Sequence, residues 1–348
     1  MYICGITPYD VTHLGHAATY IWADAAERVL RWQGHAVTVA RNVTDVDEVL
    51  FAEAHRRGEP PTMMAALQRA SFEASMSKLR VRRPDHDPTA TQSVGNVIQL
   101  AAALLVKDAA YLRNGTVYAR TARAAEVAGL SRPAALERAA EYRDDPDDPD
   151  KDDPLDVAVW QATAGRPNED ISWPSPWGAG RPGWHAECAA MVLALFGGGV
   201  DLHCGGADLE FPHHACESVL AEAATGVAPF ARAWLRAGTV CNDGVKMAKS
   251  TQNLVLVDDV LRDHSVAAVR LLCLNRPWAQ SWSYASGELD AMAGLLEELY
   301  SAAGKPGGRS AAAATELLND LDVPRAIAVA LEDGGAAART LVEVLGLS

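Results

Sequence analysis

The sequence predicts an α/β protein built on a doubly wound parallel sheet, with an inserted module and a C-terminal helical region. Three observations point there. Residues 2–5, Tyr-Ile-Cys-Gly, read as a short buried strand ending in glycine. A helix fits 14–33, because Ala18, Ile21, Trp22, Ala25, Val29, Leu30 and Trp32 recur at helical spacing and Gly34 suits a C-terminal cap. A β-branched strand, Ala36–Ala40, comes next, with Asn42-Val43-Thr44-Asp45 as the turn beyond it. Strand, helix and strand with such short joints open a parallel sheet covered by helices.

The other elements follow in chain order. Residues 62–112 have a helical pattern, while 113–180 are polar, rich in Pro and Asp, and read as an inserted module with surface loops. Regular α/β character returns at 184–245, with a strand at Val200–Cys204 and a helix from about 213. From 257 the chain is rich in Ala and Leu and helical, interrupted by a linker at Pro306–Ser310. The expected division is therefore 1–75 and 181–256 as two halves of one nucleotide-binding fold, 76–180 as a connective insertion, and 257–348 as a helical region. At 348 residues, two or three units are expected. The chain shows no internal repeat.

Composition narrows the class. The formal net charge is −14. Nucleic-acid binders carry a basic face or an excess of Lys and Arg, and neither stands out. The densest charge run, residues 143–153, is acidic; it reads as a solvated loop and would repel a phosphate backbone. No apolar run reaches the roughly 18 residues of a membrane span. The opening residues lack the basic-then-apolar pattern of a signal peptide, so the reading is cytoplasmic. Six cysteines (Cys4, Cys188, Cys204, Cys216, Cys241 and Cys273) are scattered, which favours metal ligation or burial over a disulfide framework.

Two motifs suit a nucleotide triphosphate. His13-Leu14-Gly15-His16 opens the first helix, where free N–H groups and the dipole favour phosphate. Alone, a surface histidine pair is the commoner explanation. Lys246-Met247-Ala248-Lys249-Ser250 follows Asn242-Asp243-Gly244, and its two lysines could stabilise a departing pyrophosphate. Alone, lysines in a surface loop are ordinary. In this order and separation, the pair resembles the HIGH and KMSKS motifs of class I aminoacyl-tRNA synthetases. Ala248 departs from the usual serine and loses one hydroxyl contact.

A third constellation supplies metal donors. Cys4 follows the first strand, Cys188 closes the segment from Gly180 (GRPGWHAEC), and His213 and Glu217 stand at i and i+4 in FPHHACE. Two thiolates, an imidazole and a carboxylate form a zinc set. These segments, with NVTDVD, GGADLEFPHH and KMAKS, resemble the cysteinyl-tRNA synthetase superfamily from residue 3 to about 256. The resemblance implies a class I Rossmann-type (HUP) fold, ATP as substrate with Mg²⁺, and one zinc that binds the substrate thiolate directly. A soft thiolate coordinates zinc well and a hydroxyl poorly, so serine is rejected.

The same resemblance implies site roles. His13, His16, Lys246 and Lys249 would be catalytic. Cys4, Gly5, Ile6, Thr7, Thr19, Asn42, Val43 and Thr44 would border the cysteinyl-adenylate, with Trp184 packed on the amino acid. Gly206, Ala207 and Asp208 would lie at the ribose and Val240 at the adenine. For transfer, His185 is a candidate base, with a structural role the competing reading.

Within the superfamily, GITPYD (5–10), THLGHAATY (12–20) and the Asp145-Pro146, Pro149, Lys151 spacing resemble the mycothiol-ligase branch, which joins cysteine to the amine of glucosaminyl-inositol. The acidic balance and a tail of about 100 residues after KMAKS agree, so small-molecule partners are expected rather than tRNA or a membrane, and a monomer is favoured. Glu217 and His203 resemble the tRNA synthetase instead. Departures stand at Cys204, at 275–278, and at 141–146, where the branch's ERGGDP reads EYRDDP. A ligase for another small amine is the further alternative. The strand usual upstream of residue 2 is missing, which suggests a late start. A binding module that had lost its chemistry need not keep both histidines, both lysines and four metal donors.

Overall fold

A computed structural model describes residues 1–9, 11–166, 168, 171–247, 251–309 and 311–348. Strand β1 (Tyr2–Ile6) leads into α1 (Leu14–Trp32) and β2 (Ala40–Val43). Helix α1 is long because its apolar stripe lies on the core: Leu14, Ala17, Ile21, Trp22, Ala25 and Val29 are buried. Gln33 caps it and Gly34, at φ +89°, turns the chain out. The second strand differs from expectation. Residues 36–39 are irregular and the strand begins at Ala40, because pairing with β1 starts in register Tyr2↔Ala40. Asn42 and Val43, expected in a turn, therefore belong to the strand.

After β2 come α2 (Glu48–Arg57), α3 (Pro61–Lys78) and α4 (Ala90–Val106). The expected helical stretch is broken at 79–89, where His86 and Thr89 bridge to Ala40 and Val43. Next are β3 (Ala110–Arg113), β4 (Thr116–Ala119), α5 (Ala124–Val127), α6 (Arg132–Glu141), β5 (Val157–Ala162) and β6 (Gly180–Pro182). These four strands form an antiparallel sheet in the order β3-β4-β5-β6, where sequence had suggested loops. They are three to six residues long, too short to show a period.

Then follow α7 (Trp184–Phe196), β7 (Val200–Gly206), α8 (Ala215–Thr225) and β8 (Ala231–Ala237). The main sheet is parallel throughout, in the order β2-β1-β7-β8. Its order reverses between β1 and β7, and a crevice opens beyond the carboxyl ends of such neighbours. Gly5 permits close approach to β2 there: a Cβ would lie 1.5 Å from the Asn42 carbonyl oxygen.

A small sheet, β9 (Val240–Asn242), β10 (Val245–Lys246) and β11 (Trp282–Tyr284), carries the lysine loop. The remaining helices are α9 (Val257–Asp263), α10 (Val266–Leu274), α11 (Glu288–Gly304), α12 (Ala312–Glu316), α13 (Val323–Asp333) and α14 (Gly335–Val344). They share one apolar core with α1, in which Ile21 and Trp22 join Leu271, Leu299 and Leu341. Buried Arg270 fastens that junction. It pairs with Asp24 at 2.6 Å and donates to the Leu79 and Leu345 carbonyls. The expected linker at 306–310 is packed as far as it is described: Ala336 N–H donates to the Gly307 carbonyl at 2.7 Å.

Candidate active site

The N-terminus of α1 holds the two motif histidines. His13 is extended and caps the helix, its Nδ1 accepting from Gly15 N–H at 3.1 Å. The His13 and His16 rings stack at 3.8 Å and 28°. Burial, and then Lys246, pushes His16 down to about 4, so its imidazole is neutral at pH 7. Leu14 N–H donates to Val255 O at 2.8 Å, so the segment after the lysine loop lies against the start of α1. Lys246 Nζ pairs with Asp208 Oδ2 at 2.8 Å, and this pairing overcomes burial to raise the lysine's pKa. Ala248, Lys249 and Ser250 lie outside the described residues.

Four elements bring the metal donors together. Cys4 comes from β1, Cys188 from α7, His213 from the irregular turn Glu210–His214, and Glu217 from α8. All four are buried, and one donor atom from each lies within 4.8 Å of the others. Zinc bonds of about 2.0–2.3 Å fit a cluster of that size. The donor types fit zinc too: Cys188 and Glu217 already favour the ligand form, while burial holds the Cys4 thiol up and His213 gives up a proton on binding a metal. Hydrogen bonding from Cys4, against the cost of burial, holds the Cys188 thiol down at about 6. Burial opposes charge on His213, yet Glu217 and Cys188 outweigh it and raise its pKa to about 10. Glu217 is held well below the carboxylate range, burial being overcome by His203 and His213.

The outer bonds are equally specific. Glu217 Oε1 lies 3.0 Å from His213 Nε2, and its Oε2 lies 2.8 Å from His203 Nε2. His213 Nδ1 shares a proton with His185 Nδ1 at 2.9 Å, and His185 Nε2 reaches Asp144 at 3.0 Å. Trp184 stacks on His213 at 4.2 Å. Both ring nitrogens of His185 are thus engaged and the ring is buried, which favours its structural reading. Such outer bonds orient metal-binding imidazoles and carboxylates. Neighbouring Glu187 is fully buried with neither carboxylate oxygen hydrogen-bonded among the described residues; burial first, then Cys188, pushes its pKa well up, which keeps it neutral.

Above the donors lies a cavity of about 570 Å³. Of the residues anticipated from sequence, Cys4, Gly5, Ile6, Thr7, His13, His16, Thr19, Asn42, Thr44, Trp184, Cys188, Gly206, Asp208, His213, Val240 and Lys246 line it. Val43 and Ala207 do not. Val43 alternates with Asn42 and Thr44 along the strand and so faces the other side of the sheet. Ala207 sits in the 3-10 turn Ala207–Leu209. Glu217 lies behind the wall, reached through Cys4 and His213.

Sequence reasoning missed Tyr142 and Asp144. Tyr142 stacks on Trp184 at 6.1 Å and 15° and donates to the Asp208 carbonyl at 2.8 Å. The acidic run is not a free loop either. Asp148 accepts from Tyr118 at 2.6 Å, Asp150 accepts from Asn114 at 2.9 Å, and Asp152 N–H donates to the Tyr111 hydroxyl at 2.6 Å. Only the departure EYRDDP, at 141–146, hinted that this stretch faces the site.

Fold and site together define a class I synthetase catalytic domain. Residues 1–293 match the family of tRNA synthetases class I (C), catalytic domain, and the chain belongs to it. Among its relatives is the L-cysteine:1D-myo-inositol 2-amino-2-deoxy-alpha-D-glucopyranoside ligase of Mycobacterium ulcerans, 43% identical over 94% of this chain and 82% of that protein. The ligase of the same name from Frankia alni is 41% identical over 94% of this chain and 81% of its own length. The cysteine–tRNA ligase of Halorhodospira halophila is also 41% identical, over 87% of this chain and 65% of that protein. The fold is that of Mycobacterium tuberculosis methionyl-tRNA synthetase bound by methionyl-adenylate, with a TM-score of 0.67 at 16% identity, covering 99% of this chain and 83% of that one. Among the described residues, no helix is long and apolar enough to cross a membrane.

Proposed function

We propose that the chain joins L-cysteine to the amine of glucosaminyl-inositol, converting ATP to AMP and pyrophosphate. The observation that carries this reading is the meeting of Cys4, Cys188, His213 and Glu217 beside the cavity that also holds His13, His16 and Lys246. The names of the relatives agree with it.

In the first half-reaction the cysteine carboxylate attacks the α-phosphate of ATP, an O–P bond forms, and the bond to pyrophosphate breaks. His13 and His16 hold the phosphates at the start of α1, with His16 acting as a neutral hydrogen-bonding group. Lys246 and Lys249 stabilise charge on the departing pyrophosphate, which Mg²⁺ would accompany. Asp208 takes the ribose, releasing Lys246 from their ion pair. Trp184 and Thr44 orient the amino acid. Zinc held by the four donors would bind the substrate sulfur as thiolate and leave serine's hydroxyl poorly held.

In the second half-reaction the acceptor nitrogen attacks the activated carbonyl carbon. An N–C bond forms, the C–O bond to AMP breaks, and one N–H proton passes to solvent water. His185 is not assigned as the base, since its nitrogens already bond His213 and Asp144.

A second reading, transfer to tRNA, is favoured by Glu217 and by the likeness to a cysteine–tRNA ligase. Incubation with ATP, cysteine and either glucosaminyl-inositol or tRNA separates the two by AMP release and product mass. Cysteinyl amide with uncharged tRNA supports the proposal; charged tRNA with an inert amino sugar replaces it.

A further inference from the structure

We infer that a second cavity, beside the first, seats the acceptor and selects a cationic amine bearing hydroxyl groups. This rests on the cysteine-ligase reading and adds where the acceptor lies and what reads it. The second cavity has a volume of about 430 Å³, and Thr7, Tyr9 and Trp184 line both. The two cavities are therefore adjacent, and a nucleophile held in the second lies next to the place where the carboxyl is activated. Clefts of this size with converging polar groups are ordinary small-ligand sites.

The lining has the chemistry of a polyol amine site. Carboxylates outnumber Lys and Arg cations in it, six to four. Several of each are committed: Arg181 pairs with Glu48 at 3.1 Å and Lys151 donates to the Asp144 carbonyl, while Asp47, Asp144 and Asp148 bond Val49 N–H, His185 and Tyr118. The Glu141 and Asp145 carboxylates form no hydrogen bond or ion pair among the described residues, and both are exposed at the cavity. They are free to meet an ammonium group, which gives one proton to solvent water before its nitrogen attacks and a second as the amide forms. Gln161, Tyr118 and the remaining guanidinium groups offer donors and acceptors together, as hydroxyls require. A tRNA end would instead bring phosphates against a net-acidic wall.

The same wall is tied to the adenylate side. Tyr142 lines the second cavity, stacks on Trp184, which lines both, and donates to the carbonyl of Asp208, which lines the first, so it joins their walls. Residues 141–146, where the sequence leaves the ligase pattern, supply Glu141, Tyr142, Arg143, Asp144 and Asp145 to this lining. The departure therefore falls where acceptor choice would be made.

The test measures AMP release with four acceptors: glucosaminyl-inositol, glucosamine, propylamine and tRNA. It compares the parent with Asp145→Asn and with Glu141→Gln/Asp145→Asn. Asp145 sits at φ +46°, which asparagine tolerates, so the single variant keeps its backbone. Cysteine-dependent ATP–pyrophosphate exchange needs no acceptor and reports that each variant is folded. The expected result is a KM for the accepted amino sugar raised at least tenfold, with propylamine a poor acceptor throughout. If the parent uses glucosaminyl-inositol and Asp145→Asn leaves its KM within twofold, the cavity assignment falls while the ligase reading stands. If the parent prefers glucosamine and the variants raise that KM, the cavity stands and the particular acceptor changes. Transfer to tRNA alone, or to none of the four, overturns the inference.

Discussion

Lys246 Nζ lies 2.8 Å from Asp208 Oδ2, so the described lysine of the KMAKS loop is neutralised by the carboxylate assigned to the ribose. In the proposed reaction ATP would replace that pair on both sides, hydroxyls meeting Asp208 and phosphates meeting Lys246.

Asp208→Asn should therefore weaken ATP use more than cysteine use. A hydrogen bond to a charged group contributes about 1.5–3 kcal/mol, which corresponds to a rise of about ten- to a hundredfold in the KM for ATP. Pyrophosphate exchange at varied ATP measures it. An ATP KM within twofold of the parent would remove Asp208 from nucleotide binding.

The purified chain should hold about one zinc ion, as four-donor N/S/O sites do. Cys188→Ser should lose both the metal, by elemental analysis, and exchange with cysteine. The parent should favour cysteine over serine by several orders of magnitude, because the hydroxyl forfeits the metal contact. Full exchange activity in a zinc-free preparation would overturn the metal assignment.

His203 holds Glu217 at 2.8 Å without being one of the four donors. His203→Ala should lower zinc affinity about ten- to a hundredfold, the usual cost of losing an outer hydrogen bond. His203→Gln should recover part of it, since its amide N–H can still donate. Chelator competition gives the affinities; equal values for all three proteins would show that His203 only fills space.

His16 carries a signed pH effect. Its folded pKa is about 4, below the ordinary 6.5, because of burial and then Lys246. The unfolded chain takes up a proton that the folded chain refuses. His16's contribution to stability is present above pH 6.5 and is lost as pH falls toward 4. Replacing it with glutamine should flatten the fall in Tm across that window. Parallel Tm curves for parent and variant would contradict the shift.

Arg270 and Asp24 form a buried pair at 2.6 Å between α10 and α1. Arg270→Ala leaves Asp24 with Arg28 at 2.7 Å and the Arg82 N–H, but strips the buried Leu79 and Leu345 carbonyls of their donor, and should cost about 1–3 kcal/mol of stability. Urea unfolding measures it. A loss under about 1 kcal/mol would mean that the C-terminal helices are held by apolar packing alone.

Much of this was legible in the residues themselves. Tyr2–Gly5, the stripe of α1 and Gly34 carry local signals, because strand burial, helical spacing and a left-handed cap are each written within a few neighbouring residues. The identity of the donors was legible because the sequence names which thiols, imidazoles and lysines exist, while burial and neighbours in the fold set their protonation. What the sequence determined alone was therefore the class of elements and the groups available.

Tertiary structure decided where those groups meet. The start of β2 is set by its register with β1 rather than by its own β-branched residues. The sheet β3-β4-β5-β6 exists through pairings between strands too short to show a period. Cys4, Cys188, His213 and Glu217 come within 4.8 Å because the order β2-β1-β7-β8 places β1 beside β7, with α7 and α8 flanking them. Asp144 and Tyr142 reach the site because the acidic run is bonded to Tyr118, Asn114 and Tyr111. These are contacts between residues far apart in the chain, and their energies depend on packing and burial that no local stretch contains.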